Sequence, residues 1–448
     1  MRCYWQPAAL VDEFDPRLDP RMADRPVKAV RLLGRDLVLF RDGSGRYGLP
    51  DRACPHRGAD LTFGRHEPEG LRCPFHGWRF AVDGTCLETP AEPPGSTLCT
   101  RVRQRSYPVR EQSGVLFAWL GPEGSVPPEL PAFDCFAAPA SHSFAFKGLW
   151  RCNGLQAFEA GIDPAHPRWP MTRVMRELCQ PEIRFDAGLE GLLRLTTLRP
   201  MTDALTHVRV THAMFPATFV IPLSESIAIT QMHVAVDDTD TYWYFFFTSF
   251  GEPLDKEAMR AQRLACVTLP DYAPKKGRHC DWGFDADEQR TRTYLGMGED
   301  DINLHDQWAV ESMGAIQDRT KEHLGSSDKV IMANRRTLLK AIETVRAGGR
   351  PPMAAQIPRR TRRHRAQPAS PCGHDGAVWG RGQRPAGQPR RSVRRARRRR
   401  RARRRVLADR RRLARARQAL RAGPPRRCRR QGRLAGARIL RPVLRPPG

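Results

Sequence analysis

Two short cysteine–histidine segments are the part of this chain whose residue types and spacing most clearly indicate chemistry. Cys54-Pro55-His56 is followed, after 16 residues, by Cys73-Pro74-Phe75-His76. Each segment offers one thiolate and one imidazole, so the two loops could supply two sulfur and two nitrogen ligands. A [2Fe-2S] cluster in which one iron is bound by two Cys and the other by two His requires this mixed set. A tetrahedral zinc site uses the same donors and is the alternative.

The order of the ligands favours the cluster, because zinc fingers usually pair Cys with Cys and His with His. Two neutral imidazoles in place of thiolates would give such a cluster a higher potential, about −150 to +300 mV. The flanking residues are Cys-Pro-His-Arg-Gly-Ala (54–59) and Cys-Pro-Phe-His-Gly-Trp-Arg-Phe (73–80), and they resemble the two cluster-binding loops of the Rieske family. That resemblance implies a Rieske [2Fe-2S] cluster with Cys54, His56, Cys73 and His76 as its ligands.

A second group of polar residues lies further along the chain. Glu159, Asp163 and His166 are spaced to share one face of a helix. Acid and histidine at this spacing more often form a solvated or capping pair. Downstream of a Rieske segment, however, they resemble the iron-binding helix, Asp-x-x-His-x-x-x-x-His, of the Rieske non-haem iron oxygenases. The resemblance implies His166 as a ligand of mononuclear Fe(II), and Asp163 as the carboxylate that bridges electron transfer from the Rieske histidine of a neighbouring subunit.

The chain departs from that family pattern at the second histidine. The residue five positions after His166 is Met171, and a thioether is a poor ligand for oxygen-activating Fe(II). The segment Trp169–Glu177 resembles one that in the family follows a longer, ligand-bearing stretch, but here it follows His166 directly. The expected triad of two histidines and one carboxylate is therefore incomplete.

The segment His305–Asp328 resembles the corresponding region of the phthalate 4,5-dioxygenase oxygenase subunit group, which implies Asp306 as the carboxylate ligand of the mononuclear iron. From its residues alone, the segment is predicted to be a polar loop entering the last helix, with Asp328 as the helix cap. Four polar residues of this segment are expected to form a buried structural network: Asp318, Arg319, Glu322 and His323.

The elements that must position these groups fall into two domains. After a lead-in (residues 1–25), short strands such as Val27–Leu33, Leu37–Phe40 and Val115–Leu120 predict an all-β Rieske domain over residues 26–122. A proline-rich linker (123–140) follows.

Residues 141–350 mix helical and strand patterns. Helices are predicted at Asn153–Ile162 and Asp328–Val345, and strands at Leu192–Leu198, Thr206–Phe215 and Thr241–Phe250. Strands between helices predict an α+β catalytic domain, with an antiparallel sheet and helices of the helix-grip type implied by the resemblance.

The remaining residues, 351–448, differ in composition from the rest of the chain. They contain 33 arginines and two acidic residues, so this tail accounts for +31 of charge and the first 350 residues for −3, within a total of +28. Such a composition predicts a disordered tail, because it cannot bury enough apolar surface to offset its ordering entropy. An arginine-rich arm that binds nucleic acid is one interpretation. Translation out of frame is the favoured one, so nucleic acid is not an expected partner.

We expect a cytoplasmic protein, because the N-terminus lacks the apolar region of a secretory signal and no apolar run reaches the roughly 20 residues of a membrane span. The resemblance covers about residues 4–349. It implies an oxidoreductase, the oxygenase component that uses O₂ and NAD(P)H-derived electrons, supplied by a flavin and iron-sulfur reductase, to hydroxylate or demethylate an aromatic, phthalate-like compound. It also implies a head-to-tail ring, commonly a trimer. The alternative is a [2Fe-2S] electron-transfer protein whose catalytic domain is inert.

Overall fold

The computed structural model describes residues 1–165, 182–189, 191–202, 205–298 and 302–354. The N-terminal part consists of three small antiparallel sheets. The strands predicted around Val27, Leu37 and Val115 are confirmed. In sheet order, the strands are β1 (Trp5–Leu10), β11 (Val115–Trp119) and β10 (Val109–Gln112); β2 (Val27–Leu32), β3 (Arg35–Arg41), β4 (Tyr47–Pro50) and β9 (Ser106–Tyr107); and β5 (Arg65–Glu67), β6 (Gly70–Arg72), β7 (Arg79–Phe80) and β8 (Cys86–Glu88).

A seven-stranded antiparallel sheet follows, in the order β12-β18-β17-β16-β15-β14-β13. Its strands confirm the three predicted in this region. They are β12 (Ser143–Trp150), β13 (Glu182–Leu189), β14 (Leu192–Thr202), β15 (Leu205–Met214), β16 (Thr218–Pro222), β17 (Ile227–Ala235) and β18 (Thr241–Ser249). A hairpin of β19 (Val267–Thr268) and β20 (Ala273–Pro274) lies beside β12. The predicted fold class, an all-β domain followed by an α+β domain, is confirmed. The tail predicted over residues 351–448 lies outside the described residues beyond residue 354.

The helices of the described residues are α1 (Leu98–Arg101), α2 (Asp134–Ala137), α3 (Gly154–Ile162), α4 (Lys256–Cys266), α5 (Ala286–Thr291), α6 (Ile302–Ser312) and α7 (Lys329–Arg346). Helices α3 and α7 confirm two predictions. In the described residues, no helix is long and apolar enough to cross a bilayer.

The loop predicted from His305 onward is wrong for its first third, because α6 is a helix. Its inward face is built partly from polar side chains, with His305, Gln307 and Glu311 buried beside Leu304 and Val310. This mixture hides the apolar periodicity by which a helix is recognised. Asp328 precedes α7 but does not cap it through its side chain. Its Oδ2 instead accepts from Gly325 N at 2.6 Å.

A continuous apolar core joins the β1-β11-β10 sheet to the seven-stranded sheet. Phe117 of β11 stacks against Phe246 of β18, with ring centroids 6.5 Å apart, and both rings contact Phe136. Trp5 of β1 and Trp150 of β12 belong to the same buried cluster. This packing fixes the two parts against each other. The domain boundaries at 25/26, 122/123 and 140/141 stay predictions.

Candidate functional site

The two cysteine–histidine segments form loops with matching hydrogen bonds. In the first loop, Cys54 N donates to Ala59 O and Gly58 N donates to Cys54 O, both at 2.8 Å. In the second, Cys73 N donates to Trp78 O at 2.8 Å and Gly77 N to Cys73 O at 3.0 Å. Both glycines have positive φ, +78° and +75°, a backbone conformation that favours glycine. The sequence thus folds each pair of candidate ligands into the same tight turn.

The two loops bring two thiols and two imidazoles together. Cys54 and Cys73 are both 2% exposed. Burial, with a further contribution from the neighbouring Cys73 thiol, raises the pKa of Cys54 to about 11. The ring centroids of His56 and His76 are 4.5 Å apart. A raised thiol pKa is the expected result of packing uncharged sulfur into an apolar site.

One nitrogen of this site is buried and unsatisfied. His76 Nδ1 has no hydrogen-bond partner among the described residues. Burial, and then the proximity of His56 and Arg57, lower the pKa of His76 and favour the neutral imidazole that ligates metals. Buried polar atoms without partners are uncommon in native proteins, and a missing ion is one explanation. The donor set and this orphaned nitrogen therefore fit a bound [2Fe-2S] group.

The supporting contacts hold the loops in place. The indole of Trp78 stacks on His56, with centroids 4.3 Å and planes 9° apart. Asp60 accepts from Arg52 Nε at 2.8 Å and from Thr62 N at 2.8 Å, so it closes the end of the first loop. The Arg52 guanidinium, opposed by partial burial, lowers the pKa of Asp60 to about 2. At the tip of the second loop, Phe75 is 55% exposed.

The second candidate group is only partly described. Helix α3 ends at Ile162, and the half-buried Asp163 follows it, with its Oδ1 accepting from Ala165 N at 2.8 Å. Glu159 is instead turned into the protein, where Arg335 Nε and Arg319 Nη1 donate to it at 2.7 and 2.8 Å. A side chain paired in this way is structural. His166, Met171 and the segment Trp169–Glu177 lie outside the described residues.

The polar network expected after α6 forms for Arg319 and Glu322, which are half-buried. Arg335 donates to Glu322 Oε2 at 2.5 Å and to Glu159, and Arg319 joins the same group. The expectation is wrong for Asp318 and His323, which are both exposed. Asp318 caps a short turn by accepting from Thr320 N at 3.1 Å, and a residue that performs this local role stays at the surface.

Asp306 lies half-buried on α6, between two buried residues with structural partners. His305 Nε2 is 2.8 Å from Gly298 O, and Gln307 Nε2 donates to Lys276 O at 3.1 Å. In the described parts of the chain, no three His, Cys, Asp or Glu side chains are grouped so as to hold one metal ion. The mononuclear iron site with His166 and Asp306 therefore stays a prediction.

The sequence did not identify two buried residues that anchor α6, Glu311 and Gln156. Glu311 Oε1 accepts from Arg151 N, and its Oε2 accepts from Trp282 Nε1, both at 2.9 Å. Gln156 on α3 donates to Val310 O at 2.9 Å. These contacts position the helix that carries Asp306. Nothing local to either residue identifies it, since the partners are distant in sequence.

Comparisons with known proteins agree with the arrangement of the loops and sheets. The chain matches the family model of the Rieske [2Fe-2S] domain over residues 5–108, and that of the LigXa C-terminal domain over residues 179–363. It is 31% identical over 383 residues to the phthalate 4,5-dioxygenase oxygenase subunit of Pseudomonas putida, covering 78% of this chain and 83% of that protein.

Two other relatives and one solved structure are also similar to this chain over most of its length. The 3-chlorobenzoate-3,4-dioxygenase oxygenase subunit of Comamonas testosteroni is 31% identical over 380 residues, or 78% of this chain and 85% of that protein. The 5,5'-dehydrodivanillate O-demethylase oxygenase subunit of a Sphingobium strain is 32% identical, covering 78% of both chains. The solved structure of dicamba monooxygenase with 3,6-dichlorosalicylic acid has a TM-score of 0.55 at 18% identity, covering 77% of this chain and 98% of that one. That structural likeness supports the fold.

Proposed function

This chain belongs to the Rieske non-haem iron oxygenases that act on aromatic compounds, and from that premise we propose that it is the oxygenase component for a phthalate-like substrate. Proteins of this family hydroxylate or demethylate aromatic compounds. The proposed substrate class rests on relatives named for phthalate and 3-chlorobenzoate, which are aromatic carboxylates. The electrons would come from NAD(P)H through a flavin and iron-sulfur reductase, and the chain would work in a ring such as a homotrimer.

The observation that carries the proposal is the pairing of the two loops. We assign Cys54 and Cys73 as ligands of one iron, and His56 and His76 as ligands of the other. Trp78 would orient the His56 ring, and the buried surroundings would exclude water from the thiolates. When bound by these four residues, a [2Fe-2S] group would supply one-electron transfer.

For the second iron we assign His166 and Asp306 as ligands, and Asp163 as the carboxylate between the site and the Rieske histidine of a neighbouring subunit. An iron held by two histidines and a carboxylate would supply the activation of O₂. With Met171 at the place of the second histidine, the donor set of this chain does not fit a complete triad.

Met171 also supports a second candidate function, a [2Fe-2S] electron-transfer protein with an inert catalytic domain. The residues at 54–76 match the Rieske pattern fully, whereas the mononuclear site lacks one ligand. A polypeptide of this kind would exchange electrons with a reductase but would not couple them to a substrate.

Iron counting and electron uptake separate the two functions. The purified chain would be loaded with iron and sulfide without air, and NADH oxidation would be followed with a phthalate-type reductase, with and without phthalate. An oxygenase should hold three irons and oxidise NADH faster with phthalate, and Asp306→Asn should lose one iron and this stimulation. Two irons that are reduced by the reductase, with no phthalate dependence of NADH oxidation, would contradict the phthalate oxygenase and support the electron carrier.

A further inference from the structure

A cavity of about 490 Å³ lies where the N-terminal residues 8–31 meet β12, β18 and residues 269–272. It includes none of the residues assigned above to either iron centre. We propose that this cavity is a separate binding site for a small organic carboxylate, held between Lys28 and Lys147. The site goes beyond the proposed function, since it requires neither iron.

The lining of the cavity has two ammonium groups around one carboxylate. Lys147 Nζ lies 2.6 Å from Glu13 Oε1, and Lys28 is paired with the other oxygen, Oε2. Glu13 Oε1 also accepts from Leu10 N at 2.6 Å. The Glu13 carboxylate is thus fully used, yet it compensates only one of the two positive charges.

Burial makes the remaining charge costly. The side chains of Glu13 and Lys147 are each 3% exposed, and that of Lys28 is 17% exposed. The Lys147 ammonium faces the rings of Tyr242, Tyr272 and Tyr244 at 4.4, 4.9 and 5.6 Å from their centroids. These ring faces stabilise a cation but do not neutralise it. A buried charge is normally paired, so a second carboxylate opposite Glu13 would complete the group.

The other charges of the lining are largely compensated, and the exposed Arg31 lies 2.7 Å from Asp36 and 3.2 Å from Asp237. Five cationic side chains and three carboxylates line the cavity. Arg21 is paired with Asp19 at 2.7 Å. Arg25 donates to two neutral acceptors, the carbonyl oxygens of Thr62 and Gly64. The carboxylate of Asp271 lies on an exposed residue at the rim. The positive charge that is left uncompensated is that of Lys28, Lys147 and Arg25 around the single carboxylate of Glu13, and it favours an anion.

The dimensions and the apolar part of the lining narrow the ligand class. Cavities that bind small organic molecules usually measure about 300–1,000 Å³ and place a few polar groups among apolar ones. Here Tyr242, Tyr272, Leu269 and Pro270 supply aromatic and aliphatic surface beside the two lysines. A carboxylate with a flat apolar body satisfies both features, whereas an inorganic anion would leave the apolar surface uncovered.

Benzoate is the probe for this site, titrated calorimetrically into the iron-loaded protein. Lys147→Met should weaken one benzoate binding event by about tenfold or more, which corresponds to about 1.4 kcal/mol. This variant leaves Glu13 paired with Lys28, so the fold should survive, and thermal unfolding would verify this. Arg21→Gln is the matched control, because Arg21 lines the same cavity but is exposed and has a carboxylate partner of its own, Asp19, whereas Lys147 and Lys28 share Glu13. Lys28→Met should weaken the same binding event.

Benzamidine, of similar shape and opposite charge, should not bind at the site. Failure of benzoate to bind at millimolar concentrations would overturn the proposal, as would equal affinity for the wild type and Lys147→Met. Equal weakening by Lys147→Met and Arg21→Gln would also overturn it, because it would indicate diffuse attraction to a basic surface. Since iron content and NADH oxidation are measured separately, failure of this site and failure of the oxygenase function are distinguishable.

Discussion

At the scale of single residues, Glu322 holds Arg335 of the last helix, and Arg335 also donates to Glu159 on the helix that precedes Asp163. It accepts from Arg335 at 2.5 and 2.9 Å and from Gln317 Nε2 at 3.0 Å. The bonds from Arg335, opposed by partial burial, hold the pKa of Glu322 below its usual range. A carboxyl group with a lowered pKa stabilises the folded state above its unfolded pKa of about 4.3. This contribution is lost as the pH falls through the lower, folded-state pKa.

We therefore expect Glu322→Gln to lower the free energy of unfolding by about 1–3 kcal/mol at neutral pH. The difference between wild type and variant should shrink below about pH 4, because the wild-type carboxyl is then being protonated. Denaturant unfolding at several pH values measures both effects. Asp287→Asn is the control, since Asp287 forms an exposed pair with Arg290. The interpretation fails if the two variants behave alike.

The sequence could predict those site residues whose pattern lies within a short stretch of the chain. Cys54, His56, Cys73 and His76 lie in short motifs that turn through their own backbone hydrogen bonds, so their types, order and spacing suggested a shared role. Glu311 could not be recognised in this way, because its partners Arg151 and Trp282 lie 160 and 29 residues away. A buried carboxylate satisfied by distant donors looks, in sequence, like one on a solvated face.

At the scale of elements, helix α3 can pack close to the sheet because Gly161 has no side chain. A Cβ at Gly161 would lie 2.0 Å from Cε1 of Phe219, whose ring is 1% exposed and packed into the core. We expect Gly161→Ala to push α3 away from β16 and to cost about 1–3 kcal/mol of stability. The displacement should also disturb Asp163 at the end of the helix.

Gly154, in the first turn of the same helix, provides the matched control. A Cβ there would meet Thr241 Oγ1 at 3.4 Å and Ala235 Cβ at 3.5 Å, which leaves room for a methyl group. Alanine also favours the helix over glycine, so Gly154→Ala should be neutral or slightly stabilising. Denaturant unfolding compares the two variants, and equal losses would show that the contact with Phe219 does not determine the position of α3.

Most elements followed from the sequence because their patterns are simple. Strand β18 is a long aromatic and β-branched run, and α7 has apolar residues at helical spacing, including Val330 and Ile331. Helix α6 was missed because its buried face carries His305, Gln307 and Glu311. Helix prediction assumes that the buried positions of a helix carry apolar residues. This assumption fails where polar side chains are buried and hydrogen-bonded inside the protein.

At the scale of the whole molecule, pairing between segments that are distant in the chain forms the shared core that supports the two proposed iron sites. Strand β1 pairs with β11, with Trp5 opposite Trp119, and the resulting sheet shares its core with β12 and β18. Composition and periodicity predicted an all-β part and an α+β part. They could not predict this shared core, nor the cavity around Lys147, because both depend on contacts between residues far apart in the chain.

The central claim is that the two loops of the first domain hold a [2Fe-2S] cluster, and iron and acid-labile sulfide analysis with the visible spectrum tests it most directly. We predict two irons and two sulfides in this domain after anaerobic loading. Both should be lost in Cys73→Ala and kept in Cys86→Ala, in which a nearby buried cysteine outside the proposed ligand set is removed. A colourless protein that binds zinc at these four residues, or a Cys73→Ala variant that keeps its iron and sulfide, would contradict the claim.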